Sequence, residues 1–154
     1  MEENLLKTCL YDKHVALGAL MSPFGGFIMP IQYTNITDEH NAVRHRAGMF
    51  DVSHMGEIIV EGKDAQVYLQ KMLSNDISKI AIGGAQYSAM CYENGGVVDD
   101  LLTYRLAEST YLLCVNASNI EKDYEWMLSH VEGEVTVINK SDEYSQIALQ
   151  GPLA

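Results

Sequence analysis

Two carboxylates, Asp99 and Asp100, interrupt the apolar run Val97-Val98-Asp99-Asp100-Leu101-Leu102-Thr103-Tyr104 directly after Gly95-Gly96. Successive residues of a strand face opposite ways, so one of the pair must point inward if the sheet is covered on both sides. That side chain enters either a pocket or a hydrogen-bond network. Burial raises a carboxyl pKa and donors lower it, each unit corresponding to about 1.4 kcal/mol, so a carboxylate held there can grip an amine or a ring N–H. The alternative is an aspartate that bonds the backbone N–H groups of the turn itself. Asp100, Leu102 and Tyr104 recur at every second position and share one face, with Tyr87 on the strand before the turn. A carboxylate, an apolar side chain and a tyrosine on one surface suit a flat heteroaromatic ligand with polar edges; ordinary core packing uses the same residue types.

Asp51-Val52-Ser53-His54-Met55-Gly56 places a carboxylate, a hydroxyl and an imidazole close together. Adjacent side chains diverge and a catalytic triad is defined by geometry, so no triad is read here. His40 and His45 are five apart, which misses the helical spacing for sharing a metal, and both read as surface or capping residues. Cys9, Cys91 and Cys114 lie far apart with no C-x-x-C, which signals neither a zinc site nor a disulfide framework and suits a reducing compartment.

The elements that must position these groups follow from periodicity and punctuation. Thr8 to Leu17 reads as a short helix closed by Gly18, and the prolines and glycines between Ser22 and Pro30 exclude a helix there. Thr37 is expected to cap a helix with Ala42, Val43 and Ala47 inward and Gly48 at its close. Gly56 to Glu61 is strand-like, and Asp64 to Leu73 puts Ala65, Tyr68, Leu69, Met72 and Leu73 on one helical face. A strand from Gln86 to Tyr92, the turn Glu93-Asn94-Gly95-Gly96, and strands Val97 to Leu106 and Thr110 to Asn116 make antiparallel neighbours. Ser118-Asn119-Ile120-Glu121 matches a capping box before a stripe of Ile120, Tyr124, Met127, Leu128 and Val131. Glu134 to Asn139 and Ser145 to Leu149 read as final strands. Hairpins interleaved with helices predict an α+β fold of antiparallel sheets with flanking helices.

With 154 residues and 47% hydrophobic content, the chain has material for a true core. Ten Lys and Arg against 21 Asp and Glu give a formal net charge of −11, which repels nucleic acid and anionic membrane surfaces. The acidic start Met1-Glu2-Glu3-Asn4 precedes no long apolar run, so neither a secretory signal nor a membrane span is read, and a cytoplasmic location is expected.

Six segments together carry a family likeness: Leu10-Tyr11-Asp12-Lys13-His14, Pro23-Phe24-Gly25-Gly26-Phe27, Met29-Pro30-Ile31-Gln32-Tyr33, Asp51-Val52-Ser53-His54-Met55-Gly56, Gly95-Gly96-Val97-Val98-Asp99-Asp100 and Ala148-Leu149-Gln150-Gly151-Pro152. In order and separation they resemble the T-proteins of the glycine cleavage system, with Phe27 standing where the family usually has tryptophan. The resemblance implies transfer of a methylene group from the aminomethyl-lipoyl arm of the H-protein to tetrahydrofolate, with release of ammonia. Tetrahydrofolate is then the cosubstrate, the lipoylated H-protein the partner, and no metal is expected. The family's aspartate falls on Asp100, as acid/base or electrostatic partner, and folate-contacting positions fall on Met55, Tyr87, Leu102, Tyr104 and Asn116.

The resemblance also implies a longer protein of three domains around a folate cavity. Residues 1–50 are expected to be the first part of a discontinuous folate-binding domain, 51–140 an α+β subdomain with the Asp-Asp hairpin, and 141–154 the start of the return into the first domain. The chain alone is then expected to be inactive and to self-associate through unpartnered apolar segments. The alternatives are the folate domain attached to dimethylglycine or sarcosine dehydrogenases, the iron–sulfur assembly factor of similar fold, or a non-catalytic binding module.

Overall fold

The computed structural model describes residues 5–154; the acidic start read above lies outside them. In chain order the elements are α1 (Tyr11–Ala16), β1 (Leu20–Phe24), β2 (Phe27–Gln32), α2 (Ile36–His45), β3 (Gly48–Asp51), β4 (Gly56–Glu61), α3 (Ala65–Met72), β5 (Ala85–Cys91), β6 (Val97–Ala107), β7 (Thr110–Val115), α4 (Ile120–Ser129), β8 (Thr136–Asn139) and β9 (Ile147–Gln150). The chain forms two compact units: one up to His54 together with Ser145–Ala154, the other Met55–Tyr144. The class is α+β, with antiparallel sheets and flanking helices.

The second unit is a five-stranded antiparallel sheet in the order β5-β6-β7-β4-β8. Alternation along each strand sends Ile58, Val60, Leu101, Leu113, Val115 and Val137 to one face, where they form a single core with Ala65, Tyr68, Leu69 and Met72 of α3 and Met127 of α4. The hydroxyl of Tyr68 donates to the Met127 carbonyl at 2.6 Å, tying the two helices together inside that core. Gly95 closes the β5–β6 turn at φ 85°, a conformation other residues rarely adopt. The Asn94 side chain accepts from the Gly96 N–H at 2.9 Å, so Asn94, and neither aspartate, serves the turn.

The first unit is built on two small antiparallel pairs, β1–β2 and β3–β9. The segment in which prolines exclude a helix is a hairpin: Pro23 and Pro30 sit in a two-stranded sheet, where a missing N–H can face outward.

Several local expectations need correcting. The first helix spans Tyr11–Ala16, and Thr8 lies before it, its hydroxyl donating to Asp51. Asn35, not Thr37, caps α2: its extended backbone lets Oδ1 accept from the Asp38 N–H at 2.8 Å. The helix ends at His45, and Gly48 opens β3 instead of closing the helix. The capping box at Ser118 does not form; the residue before α4 is Asn119, whose side chain is drawn to Asp99 instead. Leu128 and Val131 turn outward, at 44% and 37% exposure, and Asp123 is fully buried on that helix beside Met127.

Candidate functional site

The register of β6 decides where each carboxylate goes. One extra residue, Val98, sits between the pairs Cys91↔Val97 and Met90↔Asp99. Beyond it the pairing is uninterrupted, with β5 from Asp99 to Tyr104 and with β7 from Leu102 to Arg105. Asp99, Leu101 and Thr103 therefore face the helices and are buried. Asp100, Leu102 and Tyr104 face the other way; Asp100 is exposed and the other two are half-buried. Tyr87, paired with Leu102, stands on this same face.

Three of the expected site residues are brought together. The Tyr87 hydroxyl donates to Asp100 Oδ2 at 2.7 Å. Asn116 Nδ2 reaches Asp100 Oδ1 at 3.2 Å and the Asp100 carbonyl at 3.1 Å, and the same nitrogen donates to Asp99 Oδ1 at 2.9 Å. Its hydrogen bond to Asp100 raises the Tyr87 phenol, helped by partial desolvation and the charges of Asp100 and Asp99. Leu102 and Tyr104 extend the surface along β6, and burial raises the Tyr104 phenol. Met55 is half-buried one residue before Gly56, which pairs with Val115, so it stands where Asn116 leaves β7; no hydrogen bond links it to the cluster.

Behind this face lies a second layer that the sequence reading missed. Asp99 accepts from Asn116 Nδ2 and Asn119 Nδ2, both at 2.9 Å, and from the Asn116 N–H at 3.3 Å. Burial alone would raise its carboxyl, but Asp123 beside it and hydrogen bonds from Asn116 and Asn119 outweigh that and hold it below its ordinary value. Asp123 is pushed up to about 8 by burial and by the Asp99 carboxylate beside it. The signal that could have found it was its position between Ile120 and Met127 at helical spacing from both, where a carboxylate interrupts an apolar face.

In the first unit, Asp51 Oδ2 accepts from Thr8 Oγ1 at 2.6 Å and lies 2.8 Å from His14 Nε2, whose Nδ1 is 2.7 Å from the Tyr33 hydroxyl. Burial would raise the Asp51 carboxyl; hydrogen bonds from His14, Ser53 and Thr8 outweigh it and bring it to about 2. The partner of Asp51 is thus His14, 37 residues upstream, whereas His54 packs edge-on against Phe24 and Phe27. No triad is assembled from the Asp51-Ser53-His54 run. A cavity of about 550 Å³, lined by Pro30, Tyr33, Ile36, Val43, Met49 and Phe50 among others, belongs to this unit and includes none of the expected folate-contacting residues. The chemistry sits in the hydrogen-bonded cluster on β5, β6 and β7.

An α+β unit that presents a tyrosine-bound aspartate on the face of its antiparallel sheet opposite its helices narrows the class, and comparison with known proteins gives the family. Residues 10–154 match the family described as the GCVT N-terminal domain, and the chain belongs to that family. It is 63% identical over 155 residues to an aminomethyltransferase of Lysinibacillus sphaericus (strain C3-41), covering 100% of this chain and 42% of that protein. It is 55% identical over 151 residues to one from Bacillus cereus (strain B4264), covering 98% and 41%. The crystal structure of glycine cleavage system aminomethyltransferase T from Bartonella henselae superposes with a TM-score of 0.91 at 37% identity, over 97% of this chain and 42% of that one. The chain therefore corresponds to about two fifths of the relatives it matches. No helix among the described residues is long and apolar enough to cross a membrane.

Proposed function

We propose that the full-length protein carrying this chain is the cytoplasmic aminomethyltransferase of a glycine cleavage system, acting on tetrahydrofolate and the lipoylated H-protein. In that reaction the C–S and C–N bonds of the aminomethyl-lipoyl arm break and the carbon forms two bonds to folate nitrogens. The two folate N–H protons go to the sulfur and to the departing ammonia. The carrying observation is the Asp100 carboxylate, held on an open sheet face by Tyr87 and Asn116 while Asp99 is turned inward. Held by two donors, Asp100 is oriented to accept a folate N–H or to stabilise positive charge that develops on the aminomethyl group. Tyr87, Leu102, Tyr104, Asn116 and Met55 supply the flat, mixed surface beside it.

Positioning a folate nitrogen against the aminomethyl carbon draws on binding energy from the whole cosubstrate, and orientation alone can be worth roughly 7–11 kcal/mol. The chain by itself is expected to lack turnover and to bind folate weakly. Phe24, Ile31, Met49 and Leu149 are exposed on the first unit and give it a route to self-association, readable by light scattering. The test of the reading is ammonia release and methylenetetrahydrofolate formation by the full-length protein with lipoylated H-protein. Folate binding without turnover would favour a binding module instead.

A further inference from the structure

We propose that Asp123 is a positioning residue for Asp100: a proton carried by Asp123 bridges to Asp99 and so fixes the Asn116 amide that holds Asp100. This rests on the reading of Asp100 as the residue that serves folate. Asp123 lies on α4 at 0% exposure, and neither of its oxygens meets an N–H or O–H donor from another residue. Lys122 Nζ is 3.9 Å away and donates instead to the Val98 carbonyl. A buried carboxyl with no donor is stable only if it holds its own proton, and Asp123 stands one helical turn beyond Asn119, whose amide reaches Asp99 at 2.9 Å, so it faces the same buried carboxylate. The assignment within the pair follows from the other bonds. Asp99 accepts from three N–H groups and is therefore the ionised member, and Asp123 donates.

Asn116 is the link to the open face. Its Nδ2 has two hydrogens and three acceptors in reach, one on Asp99 and two on Asp100, so its placement depends on where Asp99 is held. The charged groups acting on Asp123 are Asp99 and Asp100 from β6, which disfavour ionisation, and Lys122 from its own helix, which favours it. When Asp123 loses its proton, two carboxylates face each other in a dry site. Asp99 is repelled, and the Asn116 amide loses the anchor that aligns Asp100.

The experiment compares full-length wild type, Asp123→Asn, Asp123→Leu and, as reference, Asp100→Asn. It reads kcat and KM for tetrahydrofolate against pH, together with the side-chain amide resonances of ¹⁵N-labelled Asn116. Wild-type kcat is expected to fall above about pH 8, with the Asn116 resonances moving over the same range. Asp123→Asn still offers an N–H to Asp99, so it is expected to retain most turnover while losing both the alkaline limb and the resonance shift. Asp123→Leu offers nothing, and kcat is expected to drop about tenfold with a smaller change in KM. Asn116 resonances that do not move with pH in wild type, or an unchanged alkaline limb in Asp123→Asn, would overturn the inference even if Asp100→Asn is inactive. Near-normal turnover in Asp100→Asn would instead overturn the underlying reading, whatever Asn116 does. The isosteric Asn variant keeps the comparison decisive if Asp123→Leu fails to fold.

Discussion

The Asp99–Asp123 pair should leave a measurable mark on how stability depends on pH. In the unfolded chain both carboxyls titrate near 3.8; in the fold one is held lower and the other rises to about 8. Between about pH 4 and pH 8 the folded chain therefore holds one proton more than the unfolded chain. Stability falls as pH rises through that window, by about 1.4 kcal/mol per pH unit for one proton. Across roughly four units the upper limit is about 6 kcal/mol, a large share of the roughly 5–15 kcal/mol that a domain typically has. Asp99 contributes with the opposite sign: its stabilisation is present above its unfolded value and is lost as pH falls through the lower folded one. The pair titrates as a unit, so the prediction concerns its total proton count. Asp123→Asn cannot ionise, and its advantage over wild type in urea unfolding should grow by several kcal/mol between about pH 5 and pH 8. Other titrating groups cancel in that difference. Stability curves for wild type and variant that run parallel across the window would refute the shared proton.

Glu57 is 2% exposed and neither oxygen has a hydrogen-bond partner; burial raises it from 4.5 to about 7. Its own contribution likewise falls as pH rises between those values, and Glu57→Gln should recover up to about 3 kcal/mol at about pH 8 but little at about pH 4, by the same unfolding assay. Tyr68→Phe removes the donor to the Met127 carbonyl inside the core and should cost about 1–3 kcal/mol at every pH, read as a lower urea midpoint with unchanged slope. Tyr87→Phe removes the hydroxyl bonded to Asp100 Oδ2 and should lower kcat/KM of the full-length enzyme about tenfold; an unchanged value would detach Tyr87 from the site.

How far the sequence reaches can be judged element by element. Strand β4 was legible to the residue, and the buried face of α3 was legible through its 3.6-residue spacing, because both signals are local. The β5–β6 turn was legible from its glycines and the Asp100–Tyr104 face from strict alternation. That alternation survives only because the extra residue Val98 falls before Asp99, and nothing in the sequence sets where a bulge falls. The hairpin of β1 and β2 was hidden because proline signals a break, while a two-stranded edge tolerates it. Caps failed for a tertiary reason at Asn119, whose amide bonds Asp99 across 20 residues instead of its own helix. Asp123 and the His14–Asp51 pair were illegible for the same reason: each is a polar group whose partner lies far along the chain, and periodicity carries no information about partners.

The central claim is that Asp100, and not its neighbour Asp99, is the carboxylate that faces folate. Its most direct test is tetrahydrofolate-dependent ammonia release from aminomethyl-lipoyl H-protein by the full-length enzyme, comparing Asp100→Asn with Asp99→Asn at equal folded concentration. Asp100→Asn keeps the shape, deletes the charge and should lose at least about a hundredfold in kcat. Asp99→Asn should lose less turnover and more stability, because its bonds run to Asn116 and Asn119 inside the unit. Equal losses in the two variants, or near-normal turnover in Asp100→Asn, would contradict the account.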